Sequence, residues 1–233
     1  MATPATAALA LDVNYTYSIS IMKTRQPPVG VRGYRMGRRQ IQVDRTRAKL
    51  VAAARRILLK RGGLSAFGLD SVARQAGVTR LTVYHQFGSK VGLLEAVYDD
   101  LARRGRIAEQ LGAAFQLPDP LAGLNAVVAA FISFWSSERL AIRRLRSMAV
   151  LDPSFKGATD RDERRLAAMR NALGRLAAAR GQTLSDPDRC ARVLAMLTSY
   201  ESFDALAGAG RDVGRVLATI QGLVQAAVAM GLR

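Results

Sequence analysis

The chain has 233 residues, 49% of them hydrophobic, a formal net charge of +17, one cysteine (Cys190) and one histidine (His85). That length allows a sizeable core, as one large domain or two small ones, while a lone cysteine excludes an internal disulfide and suits a reducing compartment. One histidine and one cysteine far apart deny zinc its usual ligands, and no cofactor or catalytic set is expected.

The charge is unevenly placed. Residues 1–22 carry only Asp12, residues 23–90 carry sixteen Lys or Arg against Asp44 and Asp70, and residues 91–233 carry nineteen basic against fifteen acidic groups. An Arg-rich composition alone would enrich both halves, so the asymmetry points to phosphates as the counter-charge of the first half.

In chain order, residues 1–40 contain Pro27, Pro28, Gly30, Gly33 and Gly37 without sustained periodicity, and read as a disordered basic leader. Met1–Ser20 lacks the basic start of a signal peptide, and Met22 and Met36 are alternative starts. If the leader is natural, Arg32, Arg35, Arg38 and Arg39 suit a minor groove.

Residues 69–90 carry the most information. Val72, Ala73 and Ala76 recur at helical spacing, Gly77 is placed to end that helix in a left-handed cap, and Thr79 is a good N-cap for the next. The second helix runs from about Arg80 to Phe87, with Val83 and Phe87 toward the core. Thr79, Arg80, Leu81, Thr82, Tyr84 and His85 are left for solvent or a DNA groove, and Ser89 caps a third helix where Lys90 suits a phosphate oxygen.

The remainder reads as helix: Lys90 to about Leu117, Leu121–Ser136, Glu138–Val150, residues 158–180, Asp186 and Pro187 to about Ala207, and Asp212 to Met230. No β-period run appears. The most apolar stretch, Ala126–Trp135, is too short to span a membrane. The glycines of residues 208–214 lack the spacing of a dinucleotide fingerprint and follow a helix, so a tight turn explains them. Phe131 and Trp135 lie four apart, Met196, Tyr200 and Phe203 share a face of the penultimate helix, and Met148 and Met169 add adaptable surface. Such stripes are core more often than pocket. The last helix is apolar beyond one stripe, through Val213, Val216, Leu217, Ile220, Leu223, Val224, Ala227 and Val228, and needs cover on more than one side.

The run AGVTRLTVYHQFGSKVGLL, residues 76–94, with LVAAARRILLKRGG upstream at 50–63, resembles the tetracycline-repressor-like (TetR) family of bacterial transcription regulators. The likeness covers about 50 residues; beyond Tyr98 only the helical character matches. Leu81 stands where the family commonly has glycine, Gln86 where it has histidine and Gly68 where it has threonine, and the loop at Gly62 and Gly63 is one residue longer. An apolar Leu81 near base edges would suit a thymine methyl.

The resemblance implies an all-α fold: a three-helix helix-turn-helix DNA-binding domain at 41–98, then a helical effector-binding and dimerisation domain at 99–233. It implies a four-helix dimer interface from the last two helices, with Leu194, Thr198, Val213, Val216, Leu217, Ile220, Val224 and Ala227 as contacts. It also implies a pocket for a small apolar or amphipathic effector, for which Phe131, Trp135, Met148, Met169, Met196 and Tyr200 are the candidates. The expected function is a cytoplasmic, nucleoid-associated regulator, a ligand-released repressor acting as a homodimer on a palindromic double-stranded operator, with no membrane partner. A sequence-indifferent DNA-coating protein and, more remotely, an all-helical enzyme are the alternatives.

Overall fold

The computed structural model describes residues 33–152, 154, 155, 157–210 and 212–231, all of them in helices or the turns between, with no strand element among the described residues. They divide into two compact units, one formed by 33–101 with 140–158 and the other by 102–139 with 159–231. The segment 140–158, expected with the carboxy-terminal domain, therefore groups with the amino-terminal one.

In the first unit, α1 (Gly33–Leu59) buries Leu50, Val51, Ala53, Ala54, Ile57 and Leu58, the spacing of a helix with one face on a core. It begins inside the stretch expected to be leader; residues 1–32 of that leader lie outside the described residues. No proline follows Pro28 until Pro118, so only Gly33 and Gly37 oppose the extension, each by about 1 kcal/mol. A turn with Gly62 at φ +71° leads to α2 (Gly63–Ala66) and then to α3 (Leu69–Ala76), which buries Val72, Ala73 and Ala76. Where a threonine cap is missing, Gly68 is extended, and the Ser71 hydroxyl accepts from its N–H at 3.0 Å and donates to its carbonyl at 2.8 Å. Gly77 is left-handed at φ 65°, ψ 40°, and Val78 N–H returns to the Ala73 carbonyl at 3.0 Å. Gly77→Ala should therefore lose about 1 kcal/mol in a urea titration, because an L residue there carries its Cβ into a disfavoured region.

After α4 (Arg80–Phe87) comes α5 (Lys90–Arg104), which buries Leu93, Leu94, Val97 and Leu101. The unit also holds most of α8 (Arg139–Leu151), whose Ala141, Ile142, Leu145 and Met148 are buried. Arg144 of α8 donates to the carbonyls of Leu58 and, at 2.6 Å, Lys60, capping the carboxy-terminal end of α1.

The second unit contains α6 (Ile107–Gln116), α7 (Pro120–Ser137), α9 (Gly157–Arg180, from residue 159), α10 (Pro187–Leu197), α11 (Tyr200–Ala207) and α12 (Val213–Gly231). The single connector expected over 90–117 is two helices: the chain breaks at Gly105, and Arg106 sits left-handed at φ 50° as it starts α6. Its guanidinium reaches Glu109 at 2.6 Å. The helix expected over 187–207 is likewise two, because the Ser199 hydroxyl accepts from Ser202 N–H and starts α11 afresh. Asp119 and Asp186 cap α7 and α10, each with proline in first position.

The core gathers on α7, which buries Leu124, Val127, Val128, Phe131, Ile132, Phe134 and Trp135. The Trp135 indole N–H donates to the Thr198 carbonyl at 2.9 Å, and the ring meets Tyr200 edge-on at 5.8 Å. Arg139, the first residue of α8, bonds Asp204 at 2.6 Å and the Gly208 carbonyl at 2.7 Å, fixing the turn that follows α7 against the end of α11. Both α7 and α12, 18 and 19 residues long with mean hydropathy 1.4, are long and apolar enough to cross a membrane, a longer run than the ten residues read from the sequence. Half of α7 is buried, against 22% of the apolar stretch of α12. The last turn of α12 is pinned by Ser185 N–H on the Gly231 carbonyl at 3.1 Å, and a Cβ on Gly231 would run into Cys190 Sγ.

Candidate nucleic-acid interface

Helix α4 is held rigidly at both ends, which is what a reading element requires. At its start the Thr79 hydroxyl accepts from Thr82 N–H at 3.2 Å and shares a hydrogen bond with the Thr82 hydroxyl at 2.9 Å, so these two residues act first as a cap. At its end Gly88, with φ 72°, sends its N–H to the Tyr84 carbonyl at 2.7 Å. The first turn of α5 comes so close that a Cβ on Gly92 would strike the Phe87 carbonyl. Val83 is fully buried and anchors the helix, while Phe87 is only half-buried.

The outer face then follows. Leu81 is 60% exposed and Tyr84 55% exposed, with Arg80 and His85 also in solvent, so four of the residues singled out from the sequence share one open surface. Leu81 and Tyr84 thus place apolar surface on this helix beside the cation Arg80. Lys90 is exposed at the start of α5, with its ammonium 6.0 Å from the Phe67 ring centroid. The Asp152 carboxyl is held below its usual range by hydrogen bonds from the Ser154 hydroxyl and N–H, with the Lys90 charge adding to the effect.

Two residues not singled out from the sequence complete the site. Asp70 of α3 accepts from Arg80 at 3.2 Å, an exposed pair that directs the guanidinium across the turn. Arg47 of α1 donates to the Gln86 carbonyl at 2.8 Å and lies 4.5 Å over the Phe87 ring, clamping the end of α4 from 39 residues away. No local pattern reveals such a long-range clamp. Asp70 was visible as one of only two acids in the basic half, but its partner was not.

The candidate effector residues separate. Phe131, Trp135, Met169 and Tyr200 are core side chains of the second unit; Met148 is buried in the first. Met196 is 59% exposed, because the break at Ser199 removes it from the face of Tyr200 and Phe203. What opens instead is a groove of about 640 Å³ between α6, α7 and the start of α12, lined by alanines, Ser133, Ser136, Ser137, Gln110 and Leu217. The expected dimer contacts fall into two sets. Leu194, Thr198, Val216, Ile220 and Val224 are buried in the protomer's own core, and Val213, Leu217 and Ala227 are half-buried. The open face of α12 carries Ala218, Gly222, Leu223, Ala226 and Met230 instead.

The model of the bacterial regulatory proteins of the tetR family matches residues 50–97, the stretch from α1 through the helix-turn-helix into α5. No curated protein matches the sequence. Among solved structures the chain is similar to a TetR transcription regulator from Haloarcula marismortui ATCC 43049, with TM-score 0.64, 18% identity, and coverage of 82% of this chain and 100% of that one. A protein of Mesorhizobium loti MAFF303099 assigned to the same family gives TM-score 0.63 at 21% identity over 81% and 98%. A TetR-like transcriptional regulator from Rhodococcus sp. RHA1 gives 0.61 at 19% over 79% and 96%. At these identities the likeness is one of fold, while the matched domain is one of regulators and not of enzymes. Domain and fold agree: residues 50–97 match the DNA-binding domain of the tetR family of bacterial regulatory proteins, and the described residues share the fold of solved TetR-family structures.

Proposed function

We propose that the protein is a ligand-released repressor that binds a palindromic operator as a homodimer in the cytoplasm, at the nucleoid. The observation that carries this reading is the outer face of α4, where Arg80, Leu81, Tyr84 and His85 stand exposed on a helix fixed by Thr79 and Arg47. Arginine paired bidentately with guanine and leucine against a thymine methyl are the contacts such a face supplies in a major groove, with Tyr84 and Lys90 on phosphates. A single eight-residue reader covers few bases, and two copies one helical turn apart, about 34 Å, read a palindrome. The uncovered apolar stripe of α12 supports that dimer: small residues at 218, 222 and 226 permit a close helix approach, and Leu223 and Met230 supply area.

The groove of about 640 Å³ suits a small apolar or amphipathic effector, which would favour a dimer whose reading helices no longer match the operator. Tenfold release needs about 1.4 kcal/mol of differential binding between the two states. Footprinting on the protein's upstream region tests the reading: a protected palindrome supports it, and uniform protection supports the DNA-coating alternative. Arg80→Ala should relax specificity at one base pair by about 1–3 kcal/mol, measured as competition between single-base operator variants. Equal loss on every sequence refutes base reading by Arg80. Tyr84→Phe and Lys90→Ala should weaken all sequences alike.

A further inference from the structure

A second concave surface lies in the first unit, apart from the reading face. It is a hollow of about 490 Å³ walled by Lys60 and Arg61 at the end of α1, Gly63 and Ala66 of α2, and Ser71, Arg74 and Gln75 of α3. The loop that departs from the family pattern forms part of its wall. Gly63 is required there, because a Cβ would collide with the Ile57 carbonyl.

The lining holds three cations and no carboxylate. Lys60 Nζ donates to Gln75 Oε1 at 3.3 Å, which fixes the ammonium at the edge of the hollow. Among the described residues the guanidinium groups of Arg61 and Arg74 have no hydrogen-bond or ion-pair partner. The Arg144 guanidinium lies at the rim, 3.1 Å from where a Gly63 Cβ would stand, occupied with the carbonyls of Leu58 and Lys60. Like charges gathered on a concave surface repel one another unless an anion joins them, and two guanidinium forks with an ammonium are the donor set that matches phosphate oxygens.

We propose that this hollow binds the phosphate groups of a small phosphorylated compound, giving the regulator a second ligand site inside its DNA-binding unit. Duplex phosphates are the other source of the same chemistry, and the geometry argues against them. None of Leu81, Tyr84 or His85 lines the hollow. Arg47, which touches the end of α4, precedes Lys60 by thirteen residues on or next to α1, roughly 20 Å at 1.5 Å per residue.

The test is isothermal titration of the full chain with sodium pyrophosphate, repeated for the Arg61→Gln, Arg74→Gln double variant and for Arg192→Gln, an exposed arginine on α10. Circular dichroism establishes that each variant is folded. The proposal expects saturable binding that the double variant weakens at least tenfold and Arg192→Gln leaves unchanged. Absence of saturable binding, or equal weakening in Arg192→Gln, overturns it. It is also overturned if operator DNA displaces the pyrophosphate and the double variant loses operator affinity with a flatter salt dependence, since the hollow would then serve the duplex.

Discussion

Replacing Trp135 by alanine should destabilise the second unit by about 3–5 kcal/mol, the largest single-residue effect expected in this protein. The side chain is 3% exposed, lies between Phe131, Phe134 and Tyr200, and donates to the Thr198 carbonyl. Alanine removes the ring, leaves a void that helices α7 and α11 can fill only in part, and strands a buried acceptor. Thermal unfolding followed by circular dichroism should register a drop of roughly 10 °C. Trp135→Phe separates the two contributions: it retains most of the apolar bulk and should cost about 1–3 kcal/mol for the lost hydrogen bond. The same pair of variants decides what this residue is for. A wall of an effector cavity tolerates alanine with little change in stability and a large change in ligand affinity, whereas a core residue does the opposite.

Arg144→Met should cost the first unit about 2–3 kcal/mol in a urea titration. Methionine keeps the aliphatic stem on the neighbouring apolar surface but removes both charge-assisted bonds to the carbonyls of Leu58 and Lys60. The Lys60 carbonyl is exposed and regains water, so most of the loss falls on the partly buried Leu58 group. Arg144→Lys restores the charge without the fork and should recover less than half. An unchanged midpoint for Arg144→Met would mean that the end of α1 is held by its packing alone. The segment bearing Arg144 was expected with the carboxy-terminal domain, and this pair of bonds is one physical reason it groups with the DNA-binding unit.

The parts of the fold that were legible in the sequence are those written in adjacent residues. Gly77 turns the chain and Thr79 caps the next helix because a left-handed glycine and a β-hydroxyl act within a few residues of themselves. The same holds for Asp119 before Pro120 and Asp186 before Pro187. The break at Arg106 was hidden because helical periodicity runs through it, and Ser199 was hidden because Met196, Tyr200 and Phe203 keep a helical spacing across the interruption. Periodicity also identifies which residues are apolar without naming what covers them. Val216, Ile220 and Val224, expected at a second copy, lie buried in the protomer, and the side of α12 left open is the small-residue one. Contacts between distant positions, such as Arg47 with Gln86 or Asp70 with Arg80, leave no trace in local pattern.

The seating of Gly231 against Cys190 gives the molecule an internal gauge. Cys190, the only cysteine in the sequence, is half-buried, and the final turn of α12 closes over one side of its sulfur. The velocity of labelling by a maleimide therefore responds to how closely that turn is seated, without a dye or an engineered probe. A compound or duplex that tightens this end of the bundle will slow the labelling, and one that loosens it will speed the reaction.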